Sequence, residues 1–167
     1  MKSILMFFVL VILSGCASRD YIAPAQGPLS TIDFYFPGAD WSNVVGVFED
    51  GENCKGLNYA AYLEKTEKVR LSVRRGQETN FFVATNSPRD GLIYQNWLHC
   101  GTSISFEVSE ESYSLYSGIQ NGKCVYSVSG INTDGERIYP EFELREYVQD
   151  SLAGLDSLSY CKDEVSE

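Results

Sequence analysis

Between Thr31 and Arg145, apolar and polar side chains alternate with a period of two, and turn chemistry rather than helix caps separates the runs. Residues 31–36 set Ile32, Phe34 and Phe36 on one side and Thr31, Asp33 and Tyr35 on the other. Residues 68–74 set Val69, Leu71 and Val73 against Arg70, Ser72 and Arg74. Residues 43–48 are apolar on both faces and stop at Asp50-Gly51, a tight-turn dipeptide. Further strand patterns occupy 79–85, 103–108, 113–117, 123–129 and 138–145, and Asn121-Gly122 is a hairpin signal before the seventh of these eight strands.

Helix-forming composition is scarce. Residues 59–68, rich in Ala, Leu, Glu and Lys, predict one short helical turn. The i, i+4, i+7 spacing of Val148, Leu152 and Leu155 predicts another over 147–153, stopped by Gly154. The expected fold is therefore all-β, a small antiparallel sandwich of about eight strands with one or two helical turns. Its expected core is Ile32, Phe34, Val45, Val47, Val69, Leu71, Phe81, Val83, Ile104, Phe106, Tyr126, Val128, Phe142 and Leu144.

The first residues follow a different pattern. Lys2 precedes an apolar run, Ile4 to Leu13, that falls short of the ~20 residues a membrane span requires. The run ends in Leu13-Ser14-Gly15-Cys16, which resembles the lipobox of bacterial lipoproteins. That resemblance implies cleavage before Cys16 and acylation of the new N-terminus, and several acyl chains hold a protein stably on a membrane where one does not. Ala17 and Ser18 differ from the aspartate-type inner-membrane retention signal, so the resemblance implies an outer-membrane address, with the domain facing the periplasm or the cell surface. The expected organisation is a cleaved signal peptide (1–15), a lipidated Cys16 with a flexible tether rich in Pro and Gly (16–30), and a single sandwich domain with a short C-terminal tail (31–167).

Charge and cysteine content narrow the picture further. The chain carries a net charge of −10, and loss of Lys2 with the leader makes it more negative by one. That balance argues against nucleic-acid binding, which depends on basic side chains neutralising phosphates. Of five cysteines, Cys16 is assigned to the lipid, and Cys54, Cys100, Cys124 and Cys161 form an even set suited to two disulfides in an oxidising compartment. Cys100 and Cys124 open strands separated by one other strand. In a flat sheet they would sit about 9–10 Å apart, too far for a bridge, so this pair requires the two strands to lie in different sheets or the sheet to bend. Cys100–Cys124 with Cys54–Cys161 is the favoured pairing, and Cys54–Cys100 with Cys124–Cys161 is the alternative. Around the central pair, Cys100, Phe106, Tyr113 and Cys124 resemble a pattern of small proteobacterial lipoproteins, with Glu110-Glu111-Ser112 in place of that pattern's turn glycine. The resemblance implies a disulfide-stapled β-domain.

No catalytic set, metal site or cofactor motif emerges. His99 is the single histidine and has no nucleophile motif near it, and no C-x-x-C pair occurs. The clusters Glu49/Asp50/Glu52, Glu110/Glu111 and Glu141/Glu143 read as solvated acids of turns and an outward strand face. The aromatic content, with 11 Tyr and 9 Phe, is mostly core material. Tyr35 and Tyr139 have outward parity, and Tyr94 and Trp97 fall in an expected loop over 89–99. With the basic residues Arg70, Arg74 and Arg75, these four aromatics make up the candidate binding surface, suited to protein, an anionic glycan or a lipid headgroup.

The expected role is that of a membrane-anchored envelope lipoprotein that binds a partner or contributes structure without catalysis. It is held to the membrane by its lipid and meets a protein partner in the envelope. Two alternatives are an inhibitor of a basic hydrolase such as lysozyme, suited to an acidic domain, and an accessory lipoprotein of a secretion or adhesion apparatus.

Overall fold

A computed structural model describes residues 20–37, 42–51, 55–64, 68–89 and 96–146. The described residues form ten strands and no helix. These are β1 (Leu29–Tyr35), β2 (Ser42–Asp50), β3 (Lys55–Glu64), β4 (Lys68–Arg74), β5 (Gln77–Arg89), β6 (Asn96–Val108), β7 (Ser112–Gln120), β8 (Lys123–Ile131), β9 (Arg137–Ile138) and β10 (Glu143–Glu146). Sheet I has the order β4-β1-β7-β8-β9 and sheet II the order β10-β6-β5-β2-β3. The chain changes sheets repeatedly, so sequence neighbours are often not ladder neighbours.

Period-two alternation explains the core. Ile32, Phe34, Leu71, Val73, Leu115 and Val128 of sheet I meet Val45, Val47, Phe81, Val83, Ile104 and Phe106 of sheet II in one buried cluster. Phe34 and Phe81 pack edge to face across the sheets, with ring centroids 5.4 Å apart. Phe81 continues to Phe106 at 5.5 Å, and Phe106 to Tyr113 of sheet I at 5.2 Å. The Tyr113 hydroxyl accepts the backbone N–H groups of Ser109 and Glu110, each at 2.9 Å, and so fixes the corner where the chain passes from β6 to β7. Asn121 (φ 53°) and Gly122 (φ 73°) supply the two left-handed residues of a tight β7–β8 hairpin, as the Asn-Gly dipeptide predicts.

Several expectations are corrected. Residues 59–64, expected in a helical turn, belong to strand β3. Apolar β2 needs a ladder partner on each side, and β3 supplies one by pairing Leu57 with Phe48 and Tyr62 with Val44, which overrides local helix propensity. The helical turn expected at 147–153 lies outside the described residues. The expected strand over 138–145 divides. Pro140, which has no N–H to donate, falls between β9 in sheet I and β10 in sheet II. Leu144, expected in the core, is 40% exposed because β10 is an edge strand, and Val69, Tyr126 and Phe142 are only partly buried at the margin of the core. The expected loop over 89–99 is in part the ends of β5 and β6, which pair from Gln77↔Val108 to Arg89↔Asn96. The sandwich is also not purely antiparallel, because β1 and β7 run parallel, with Thr31 opposite Ser112 and Tyr35 opposite Tyr116. These two strands are joined by crossings through the other sheet rather than by a hairpin, so no turn forces opposite directions.

The Cys100–Cys124 bridge is present, with a Cα–Cα separation of 5.6 Å. The strands lie in different sheets, β6 in sheet II and β8 in sheet I, which satisfies the geometric requirement stated above. Among the described residues this is the disulfide observed, and Cys54 and Cys161 lie outside them. Residues ahead of Thr31 also make ordered contacts. The Tyr21 N–H donates to the Tyr59 carbonyl of β3 (2.8 Å), and its hydroxyl to the Ser72 carbonyl of β4 (2.8 Å), tying together one edge of each sheet.

The outer face of sheet II carries a second apolar cluster. Phe48, Phe82 and Ala84 are buried there, with Val44 and Leu57 against them. Beside it the Asn80 side-chain amide donates to the Gly51 carbonyl (2.8 Å) and accepts from the Ser103 hydroxyl. No helix among the described residues is long and apolar enough to cross a membrane.

Candidate binding face

The outer face of sheet I has a different chemistry. Side chains alternate across a strand, so residues in register on four adjacent strands form straight rows. One row reads Lys68, Tyr35, Tyr116, Ser127. The next reads Arg70, Asp33, Ser114, Ser129, and the third Ser72, Thr31, Ser112, Ile131. Rows are about 7 Å apart along the strands and neighbours within a row about 5 Å apart. Half of these positions are Ser or Thr, with aromatic and ionic groups placed among them.

The ionic centre is built on Asp33. Arg70 donates to its carboxylate through Nε (2.7 Å) and Nη2 (2.9 Å), and Lys68 Nζ lies 2.8 Å from Oδ2. Hydrogen bonds from Arg70, and then from Lys68, hold the Asp33 carboxyl down to about 2 against the opposing effect of desolvation. The same contacts raise the pKa of both cations. Lys68 also donates to the Tyr35 hydroxyl (3.1 Å) and sits 4.9 Å above the Tyr35 ring. Asp33 is 15% exposed, whereas the Lys68 and Arg70 side chains are 42% and 65% exposed. The acid is thus the seat of the cluster, and the two cations are presented to solvent. The Tyr116 ring lies along β7 over Gly118, where a Cβ would come within 3.1 Å of it, so the ring covers the sheet rather than standing on it.

Charge divides between the sheets. The strands of sheet I carry Lys68, Arg70, Arg74, Lys123 and Arg137 against the single acid Asp33. The strands of sheet II carry seven acidic residues against three basic ones. A chain of net charge −10 therefore presents one face where cations predominate.

Of the sequence candidates, the structure brings Tyr35 and Arg70 onto this face, and Arg74, which ends β4 with the same outward parity, lines the cleft beside that strand. Arg75 lies in the turn after β4 and pairs with Glu111 at 3.2 Å. Tyr139 is 72% exposed, just beyond β9 at the far edge of the sheet. Trp97 belongs to β6 of sheet II, and Tyr94 lies outside the described residues. Sequence reasoning did not single out Lys68, Asp33, Tyr116 or the serine rows. The outward parity of Thr31, Asp33 and Tyr35 was legible, but its alignment with Ser112, Ser114 and Tyr116 depends on the parallel β1–β7 pairing.

A cleft of about 720 Å³ opens on the other side of β4, lined by residues of both sheets that include Tyr21, Arg74, Glu78, Asn58 and Arg145. Within it Arg145 pairs with Glu143 at 3.3 Å. Among the described residues no group of His, Cys, Asp and Glu is placed to hold a metal ion. Comparison with known protein families, with characterised proteins and with solved structures finds no match.

Proposed function

We propose that the chain is a lipid-anchored envelope lipoprotein, acylated at Cys16, delivered to the outer membrane, and acting by binding rather than catalysis through the outer face of sheet I. The observation that carries this reading is the composition of that face: hydroxyl rows, two tyrosines and exposed cations on an otherwise acidic protein.

The second disulfide belongs to this proposal. With Cys100 and Cys124 joined, Cys54 and Cys161 are left for each other, and an exported chain favours their oxidation. The anchor rests on the Leu13-Ser14-Gly15-Cys16 sequence.

Two experiments test the reading. Cys16→Ser is expected to leave an unprocessed precursor, and a variant that still matures and fractionates with outer membranes would remove the anchor. For the face, a photocrosslinking amino acid placed at Ser127, which is exposed on β8, is expected to capture an envelope component in intact cells, while one placed at Glu107 on sheet II is not. Potent inhibition of lysozyme by the purified protein with both sites altered would replace this reading with the inhibitor alternative.

A further inference from the structure

The arrangement on sheet I points to a class of ligand. This inference rests on the binding-face reading above and specifies what that face takes. We propose that the outer face of sheet I binds a carboxylate-bearing glycan, laid across the strands over Tyr35 and Tyr116.

Three features of the face converge on this chemistry. A sugar ring offers an apolar C–H face and a rim of hydroxyls, so its receptor needs flat aromatic surface beside paired donors and acceptors. Tyr35 and Tyr116 are direct neighbours in register on β1 and β7, and the Tyr116 ring lies down over Gly118. The two rings therefore sit on adjacent strands about one strand spacing apart, each ending in a hydroxyl. The next row supplies the polar contacts. Ser114 and Ser129 can donate and accept, and the Asp33 carboxylate, both of whose oxygens are engaged by Arg70 and Lys68, holds those two cations beside them.

Charge complementarity selects an acidic glycan over a neutral one. Lys68 and Arg70 share one carboxylate between them and keep exposed donors. An anion on the ligand meets cations along β4, while its rings reach inward to the tyrosines. An extended nucleic acid would need a larger cationic footprint, and the acidic remainder of the chain opposes it. A flat protein partner would need an apolar centre, whereas the centre of this face is Asp33, Ser114 and Tyr116.

The test uses the full-length protein in detergent micelles at fixed ionic strength. Polygalacturonate, which carries a carboxylate on every sugar, is the primary probe, and retardation in affinity electrophoresis is the readout. Its methyl ester removes the charge and keeps the rings, and poly-glutamate keeps the charge and removes the rings. Polygalacturonate is expected to bind, with at least tenfold weaker binding for both comparison polymers. Tyr116→Ala and Arg70→Gln are each expected to weaken polygalacturonate binding at least fivefold, while Lys55→Gln on sheet II leaves it unchanged. Lys68→Gln serves as a second cation variant should Arg70→Gln disturb folding. Equal binding of poly-glutamate and polygalacturonate, insensitive to Tyr116→Ala, would overturn the glycan inference and leave the binding face standing. Failure of all three polymers, with a protein crosslinked from Ser127, would do the same. Failure of the polymers together with no crosslink from Ser127 would overturn both.

Discussion

Removing the Cys100–Cys124 bridge by the double substitution Cys100→Ala/Cys124→Ala should destabilise the protein chiefly through its unfolded state. The bridge spans 24 residues, and the chain-entropy relation for a closed loop of that length gives about 3.5 kcal/mol at 25 °C. In the folded state the loss is smaller. Cys100 is 1% exposed, so its truncation leaves a sulfur-sized gap at the end of the core, whereas Cys124 faces solvent. The two sheets remain in contact through Phe34, Phe81 and Phe106, so the fold itself is expected to persist. Equilibrium urea denaturation of residues 20–167 measures the effect. With a urea m-value of ~1–3 kcal/mol/M for a domain of this size, the midpoint should fall by roughly 1–3 M. The m-value itself should hold or rise, because an unbridged unfolded chain exposes more surface. A midpoint unchanged within error would refute the reasoning. So would a shift with a collapsed m-value, since that would mean the native sandwich, not the unfolded ensemble, had changed.

Four other outcomes follow from the same structure. Asp33 has its folded pKa lowered from 3.8 to about 2, so its contribution is present above 3.8 and is lost as pH falls from there towards 2. The nominal ~2.5 kcal/mol shrinks to about 1 once solvent screening of the exposed Lys68 and Arg70 is included, and Asp33→Asn should lose that much less stability than wild type between pH 5 and pH 2. Phe106→Ala removes a ring packed between Phe81 and Tyr113 and should cost about 3–5 kcal/mol in chemical denaturation. Gly130→Ala places a methyl group 2.9 Å from the Tyr113 ring, and it should lower stability by about 1–3 kcal/mol, with partial rescue by a smaller residue at 113. Thr85→Val replaces a buried hydroxyl that has no hydrogen-bond partner among the described residues, and the melting temperature should stay level or rise.

What could be read from the sequence was set by the range of each signal. The inward sets Ile32/Phe34, Leu71/Val73 and Ile104/Phe106 were legible because alternation over a few residues fixes which face is buried. The Asn121-Gly122 hairpin was legible for the same reason, since the turn chemistry is local. The strand at 55–64 was hidden behind Ala, Leu and Glu, and only the need of β2 for a partner reveals it. Residues 138–145 kept a strand-like alternation through Pro140, and nothing in that alternation tells which sheet either half will join. The Cys100–Cys124 bridge was legible only as a geometric condition, strands in different sheets or a bent sheet, and the first of these holds. The candidate face was half legible. Outward Tyr35 and Arg70 could be named, but Tyr116, Ser114 and Ser129 become their neighbours only through a pairing between distant parts of the chain.

That pairing also orders the assembly of the molecule in time. In the middle of sheet I, Thr31 of β1 has Ser72 of β4 on one side and Ser112 of β7 on the other, the second partner roughly 80 residues downstream. No hairpin can deliver a parallel neighbour, so β1 must wait until most of the chain has emerged. The β7–β8 ribbon, nucleated by Asn121-Gly122, can form early and by itself. The β1–β7 seam then closes late, at the entropic cost of a long loop, and places the protein among slow, high-contact-order folders. Under the export proposed above, β1 would stay without its central partner until β7 followed it through the membrane, so sheet I could not close before then.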